Sequence, residues 1–223
     1  MSSGRSCRRN SVRAGVKLYL ASSNPEKLEE FQALAAVARV ARGATAGVEL
    51  ELVPGFAAHP EFEENAPTFG ENALGKALHY SRFCDGLVIA DDSGLVVPAL
   101  GGAPGVHSAR YAGPGANSEQ RIGKLLVKMQ GLRGAERAAH FICVIAAARG
   151  GRGLAIVSER VDGEIMEAPR GAGGFGYDPV FYMAALRKTF AEISGDEKNR
   201  LSHRGKAFRR ALETIVGITP GNR

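Results

Sequence analysis

The chain has 223 residues, 44% hydrophobic and 23% charged, which is the composition of an ordinary globular protein with a full core. Its net charge of +6 suggests a nucleic-acid binder, but residues 1–17 hold five basic residues and no acid, leaving 24 bases against 23 acids elsewhere. No apolar run approaches the roughly 20 residues of a membrane helix, and residues 1–16 lack the apolar stretch of a secretory signal. We therefore expect neither a nucleic-acid nor a membrane partner.

Residues 1–16 are expected to form a disordered basic leader, followed by a single bilobed domain over residues 17–223. The leader is rich in Arg and Ser, which also fits a transit peptide or a start codon assigned too early. The three cysteines, Cys7, Cys84 and Cys143, are odd in number and far apart. They offer no disulfide framework, so a cytoplasmic location is the expectation.

The first predicted elements are a strand in residues 16–21 and a helix that begins at Pro25. The strand alternates apolar residues, Asn24 suits the N-cap, and proline suits the first helical position. A helix N-terminus presents unpaired N–H groups and the positive end of the helix dipole, and Lys27 lies in the first turn. This turn is a candidate anion site, although most strand–turn–helix units bind nothing.

A second helix is predicted to begin after Thr68, which forms a capping pair with Glu71. An acidic loop that contains Glu61, Glu63 and Glu64 precedes this helix. By themselves, the acidic loop fits a solvated surface and Lys76 within the helix fits an exposed lysine.

A buried central strand is predicted in the apolar run before Asp91 and Asp92. Adjacent strand residues point to opposite faces, so one carboxylate is expected to act chemically and the other to support it. Ligand sites in α/β sheets collect at the carboxyl ends of strands, where the two acids are expected. Carboxylates without His or Cys favour Mg²⁺ or Mn²⁺, which in turn favours a polyphosphate. A hydrogen-bonded structural pair of aspartates is the alternative.

The remaining elements complete an α/β pattern. A helix is predicted over residues 118–129, and residues 139–148 and 154–165 are expected to form an antiparallel hairpin with a loose turn. A terminal helix follows a cap at Ser194. Because strands and helices alternate early and a hairpin comes later, we expect a mixed sheet flanked by helices.

Six segments resemble, in order and approximate spacing, the motifs of the inosine triphosphatase family, which includes the dITP/XTP pyrophosphatases. They are SSNPEK, EENAPTFGENALGKA, IADDSGL, LGGAPGVHSARYAG, GGFGYDPVF and SGDEKNRLSHRGKA. The resemblance covers residues 17 to about 216. It implies an elongated mixed sheet with a cleft between two lobes. It also implies Mg²⁺-dependent hydrolysis of ITP, dITP and XTP to the monophosphate and pyrophosphate by a homodimer.

The resemblance also assigns roles to individual residues. Glu63 and Asp92 fall on the positions that bind one or more Mg²⁺ ions, and Asp92 is also the base for the attacking water. The sequence leaves open whether Asp92 is a ligand, a base or both. The substrate-binding positions are the phosphate-binding turn Ser22, Ser23, Asn24, Pro25, Glu26 and Lys27, the contacts Lys76 and Ser93, the nucleoside wall Phe175, Gly176, Tyr177 and Asp178, and the base contacts Lys198, His203 and Arg204.

The physical chemistry of these residues agrees with a purine site. Phe175 offers a face for stacking, and Arg204 and His203 would donate to a 6-keto oxygen where adenine carries an amino group. Guanine shares the 6-keto group, so its exclusion must arise near the 2-position. Two positions depart from the family pattern: Ser23 stands where glycine is usual, and His107 where an aromatic such as tyrosine is common.

Two alternatives stay open at this stage. One is a related pyrophosphatase that removes modified pyrimidine or other nucleotides. The other is a non-catalytic nucleotide or RNA binder that uses the leader and the basic residues Lys198, Arg200, Arg204, Lys206, Arg209 and Arg210. This basic cluster has few aromatics, which counts against a platform for single-stranded nucleic acid.

Overall fold

The computed structural model describes residues 16–41 and 47–218. Its strands are β1 (Val16–Leu20), β2 (Val48–Leu52), β3 (Leu87–Val96), β4 (Ala138–Arg149), β5 (Arg152–Ile165), β6 (Phe181–Met183) and β7 (Lys188–Thr189). Its helices are α1 (Pro25–Ala41), α2 (Phe69–Tyr80), α3 (Ser118–Lys128), α4 (Gly195–Leu201) and α5 (His203–Ile218). The strands form one sheet in the order β2-β1-β3-β4-β5-β6-β7. The β1 strand is parallel to both neighbours, and the pairs from β3 to β7 are antiparallel, which confirms the predicted α/β fold with a mixed sheet.

Helix α1 begins where the sequence predicts. Asn24 Oδ1 accepts a hydrogen bond from the Lys27 amide at 3.1 Å, and Pro25 occupies the first helical position. Val16, the last residue of the predicted leader, is already the first residue of β1. The rest of that predicted leader, residues 1–15, lies outside the described residues.

The β4–β5 hairpin has a tighter turn than the sequence predicts. Gly150 and Gly151 alone separate the two strands, and their φ angles are +55° and +76°. Two successive positive φ angles match the twist of a two-residue hairpin, and glycine adopts them without strain. Arg152 and Gly153, which are predicted to lie in the turn, pair with β4 in the sheet.

Strand β3 carries Asp91 and Asp92 in its interior and not at its end. The expectation that the strand stops at these acids was wrong, because β4 continues to supply backbone partners as far as Val96. The strand on the other side, β1, pairs with β3 only as far as Ile89. The two acids therefore lie just past the end of β1, beside an open edge of the central strand.

The side chains of β3 alternate between two hydrophobic clusters. Leu87 and Ile89 pack on the side of α1 and α5, whereas Val88 and Ala90 pack on the side of α2. A third cluster, at the far end of the sheet, joins α3 to β6 and the ends of β4 and β5. Among the described residues, no helix has both the length and the apolar character needed to cross a bilayer.

Candidate active site

Two cavities adjoin beside β3, and both are lined by Asn24, Lys27, Ser93 and Ala109. The inner pocket holds about 650 Å³ of space between its lining atoms, part of which is open to solvent. Besides the shared residues it is lined, among the predicted positions, by Glu26, Phe175, Gly176, Tyr177, Asp178, Lys198, His203 and Arg204. The outer cavity lies past the ends of β1 and β2 and is lined by Ser22, Ser23, Pro25, Glu63, Lys76 and Asp92. The structure thus brings every residue predicted from the sequence to one of these two spaces.

Asp92 faces the outer cavity and is 5% exposed. Its Oδ2 accepts a hydrogen bond from Asn72 Nδ2 at 2.9 Å, and its Oδ1 accepts one from the Ser93 amide at 2.9 Å. Burial raises the pKa of Asp92 to about 6; the hydrogen bond from Asn72 opposes this rise and the nearby Glu64 carboxylate adds to it. A carboxylate with a pKa this close to neutrality is suited to take a proton from water.

Asp91 is fully buried and serves as a counterion on the opposite face of β3. Its Oδ2 lies 2.9 Å from Lys27 Nζ and 3.8 Å from Arg204 Nε. The same oxygen accepts a hydrogen bond from the Ser93 hydroxyl at 3.1 Å. Burial alone would raise the pKa of Asp91, but the charges of Lys27 and Arg204 outweigh it and hold that pKa well below its usual range. The alternation of the strand separates the two acids, one toward the cavity and one toward the cations.

Glu30 joins two of the predicted base contacts to helix α1. Its carboxylate lies 2.6 Å from Lys198 Nζ and pairs with the guanidinium of Arg204. Burial alone would raise the pKa of Glu30, but Arg204 and Lys198 keep it below its usual value. Sequence reasoning missed Glu30, although it stands one helical turn after Lys27 and so shares a helix face with it.

The ring of Phe175 lies against two fixed cations. Lys198 Nζ is 4.6 Å and Arg204 Cζ is 5.5 Å from the ring centroid. Asp178 fixes the loop that carries Phe175. Its carboxylate accepts a hydrogen bond from the Phe175 amide at 2.9 Å and forms an ion pair with Lys198 at 2.5 Å. These contacts hold an aromatic surface and two positive charges together in the inner pocket.

His203 is stacked on Phe141, with ring centroids 4.7 Å apart. Burial, and then the charges of Arg204 and Lys198, lower the pKa of His203 well below its usual value, so the ring is neutral at physiological pH. Its Nδ1 is buried and has no hydrogen-bond partner within the part of the chain that the structure describes. A neutral imidazole can donate or accept at such an atom, depending on its tautomer.

Substitution of Gly174 should disturb the Phe175 loop. Gly174 has a φ of +68°, and a Cβ there would collide with Asp178 Oδ2. We expect Gly174→Ala to displace Asp178 from Lys198 and to destabilise the protein by roughly 1–3 kcal/mol from backbone strain, plus the cost of the displaced ion pair. The matched control is Gly176→Ala, because Gly176 has a φ of +62° but a Cβ at that position would meet no atom within 4 Å. Equal losses of melting temperature in the two variants would contradict the displacement.

The acidic loop before α2 contributes two different glutamates. Glu63 lines the outer cavity, is exposed, and accepts from Asn65 Nδ2 at 2.8 Å. Glu64 pairs with Lys76, whose Nζ also donates to the Asp91 carbonyl at 2.7 Å. Burial alone would lower the pKa of Lys76, but Asp91 and Glu64 raise it, so the lysine stays charged. Lys76 is therefore a buried part of the cavity wall, unlike the exposed lysine that its helix alone would suggest.

The outer cavity contains two carboxylates that could contribute to a site for a divalent metal ion. Residues 16–41 and 47–218 contain no group of three or more His, Cys, Asp or Glu arranged to hold a metal. Glu63 and Asp92 nevertheless share the cavity, and their hydrogen bonds leave carboxylate lone pairs unused. Mg²⁺ is usually held by one or two carboxylates together with phosphate oxygens and water, so this donor set suits it.

The fold and the two cavities define a class of protein. It is an α/β protein whose ligand site opens past the ends of parallel strands, with a cationic, aromatic pocket joined to a carboxylate-lined cavity. The chain belongs to the Ham1 family, whose model matches residues 18–214.

Individual relatives agree with this assignment. The chain is 48% identical over 204 residues to the dITP/XTP pyrophosphatase of Geobacillus kaustophilus, covering 90% of this chain and 96% of that protein. It is 45% identical over 207 residues to the dITP/XTP pyrophosphatase of Thermus thermophilus, covering 92% and 95%. The solved structure of a HAM1 protein from Coxiella burnetii matches with a TM-score of 0.78 and 38% identity, covering 92% of this chain and 100% of that one. The family resemblance predicted from the sequence is confirmed.

Proposed function

We propose that this protein hydrolyses dITP, XTP and ITP to the nucleoside monophosphate and pyrophosphate. The observation that carries the proposal is the junction of the two cavities at Lys27 and Ser93. These residues line both the pocket that contains Phe175 and the cavity that contains Asp92. A nucleotide fits such a junction with its base on one side and its phosphates on the other. Relatives named dITP/XTP pyrophosphatase support the same reaction.

The inner pocket would select the base. The purine stacks on Phe175, and its 6-keto oxygen accepts hydrogen bonds from Arg204 and from the neutral His203 in its donating tautomer. The 6-amino group of adenine would instead oppose these donors with another donor. Mismatched buried polar groups discriminate by about 10⁴, so ATP should be a poor substrate.

The outer cavity would carry the chemistry. Asp92 takes a proton from water while the water oxygen bonds to the α-phosphorus. The bond from the α-phosphorus to the bridging oxygen breaks, and pyrophosphate leaves with that oxygen. The N-terminus of α1 and Lys27, at the junction of the cavities, hold the phosphates. Glu63 and Asp92 would bind Mg²⁺, which supplies charge neutralisation to the phosphates when bound.

Product analysis tests the proposal. The protein is incubated with Mg²⁺ and dITP, XTP, ITP, ATP or GTP, and the products are separated by ion-exchange chromatography. We expect monophosphate and pyrophosphate from the first three, loss of activity with EDTA, and recovery when Mg²⁺ is returned. Orthophosphate as the product, or equal use of ATP, would contradict the proposal. Modified pyrimidine triphosphates are added to the same assay, and a preference for them would favour the related pyrophosphatase considered above.

We further propose that the protein acts as a homodimer, as the family resemblance implies. Leu154 and Ile156, two positions apart on β5, are 44% and 53% exposed. Two exposed apolar side chains so close together on one strand add apolar surface that a second copy of the chain could cover, which supports the proposal. Light scattering at micromolar concentration measures the mass directly, and a monomer mass would contradict it.

A further inference from the structure

Most cations of the two cavities are neutralised before any ligand enters. The pairs are Lys27 with Asp91, Lys76 with Glu64, and both Lys198 and Arg204 with Glu30. Three basic residues line the outer cavity in the described part of the chain: Lys27, Lys76 and Arg110. The two lysines form ion pairs, and Arg110 forms none. A polyanion that enters this cavity therefore meets one side-chain cation whose charge is uncompensated.

Arg110 is held in place by a neutral partner. It ends the short turn Gly105–Arg110 that follows β3, and its Nη2 donates to the backbone carbonyl of Glu64 at 2.9 Å. The side chain is exposed and lines the same cavity as Lys76 and Asp92. A guanidinium carries five N–H donors, so one anchored nitrogen leaves Nε and Nη1 for a ligand.

We propose that Arg110 binds the β- and γ-phosphates of the substrate and holds the departing pyrophosphate. This inference rests on the proposed function. A guanidinium matches phosphate oxygens in a bidentate manner, and negative charge grows on the leaving pyrophosphate as the bond to the α-phosphorus breaks. Lys27 and Lys76 lie nearby but have acidic partners of their own, so Arg110 adds to their contacts a charge that is not offset by an ion pair.

Pyrophosphate binding tests this role without requiring turnover. Arg110→Gln keeps an amide donor for the Glu64 carbonyl but removes the charge. We expect this variant to bind inorganic pyrophosphate about 10-fold more weakly in the presence of Mg²⁺, because the charge-assisted hydrogen bonds from the exposed guanidinium are lost. Calorimetry measures this affinity. Binding of inosine monophosphate should change less than about twofold, since Arg110 contacts the phosphates that the monophosphate lacks. The specificity constant kcat/KM for dITP should fall by about 10-fold as well.

Two further variants separate charge from structure. Arg110→Lys keeps the charge but loses the bidentate geometry, so it should recover only part of the pyrophosphate affinity, whereas a lysine variant that binds pyrophosphate more weakly than the glutamine variant would overturn the proposal. Arg209→Ala is the matched control, because Arg209 is also exposed, donates to the carbonyls of Asn199 and Arg200, and lies outside both cavities. Unchanged pyrophosphate affinity in Arg110→Gln, or an equal loss for the monophosphate, would likewise overturn it. If the wild-type protein released orthophosphate, the proposed function would fail, and the calorimetric comparison would still decide whether Arg110 binds pyrophosphate.

Discussion

Asp92→Asn should abolish turnover and leave the protein at least as stable as before. The substitution removes both the base and a metal ligand of the proposed reaction, so kcat should fall by about 10³-fold or more. Stability should move the other way, because the buried carboxylate is ionised at neutral pH in an environment that raises its pKa to about 6. Relief of that burial should outweigh the one hydrogen bond from Asn72, for a net gain of roughly 1–2 kcal/mol.

The size of this stability gain depends on pH. The folded-state pKa of Asp92 lies above its unfolded value, so the protonated carboxyl favours the folded state below about pH 4, and this advantage is lost as pH rises through about 6. The gain from Asp92→Asn should therefore be full at pH 8 and vanish near pH 4, as chemical denaturation at the two pH values would measure. Near-normal hydrolysis of dITP by this variant, or a large loss of stability at pH 8, would contradict the assignment.

Asp91→Asn, one residue away, should have the opposite effect on stability. It leaves Lys27 without its acidic partner and removes a second acid from Arg204, both within a buried setting. Removal of one partner from a buried ion pair typically costs about 3–5 kcal/mol, which for a protein of this size lowers the melting temperature by roughly 10 °C. A melting temperature within about 2 °C of the wild type would show that Asp91 is not a counterion.

Two comparisons control for the effect of Asp91→Asn: a substitution in an exposed ion pair, and the loss of stability at acidic pH. Asp162 pairs with Arg160 at 3.4 Å, but both side chains are mostly exposed, so Asp162→Asn should change stability by less than about 0.5 kcal/mol. The pKa of Asp91 is depressed in the folded state, so its stabilising effect is present above about pH 4 and lost as pH falls further. The wild type should therefore lose more stability than Asp91→Asn on acidification below pH 4.

The parts of this site that depend on local chain chemistry could be predicted from the sequence. The N-terminus of α1 follows from Asn24 and Pro25, and the separation of Asp91 from Asp92 follows from strand alternation. The residues near Phe175 were assigned by family resemblance, and the structure brings them into one pocket with the others.

The parts that depend on distant segments could not be predicted. The length of β3 is set by pairing with β4, which lies some 50 residues further along the chain, and nothing within residues 87–96 reveals it. Glu30 resembles any surface glutamate of an amphipathic helix until α5 brings Arg204 against it. Lys76 resembles a solvated lysine until the loop before α2 folds back and places Glu64 beside it.

The pairing of β3 with β4 runs without a register shift from Val88 to Val96. A gene that lost or gained a single codon between Leu87 and Asp91 would turn the rest of the strand over. The carboxylate of Asp92 would then face Lys27 and Arg204, and the carboxylate of Asp91 would face the outer cavity. Natural variants of this protein that differ in length should therefore keep this stretch intact and accommodate the change in the connections on either side of it.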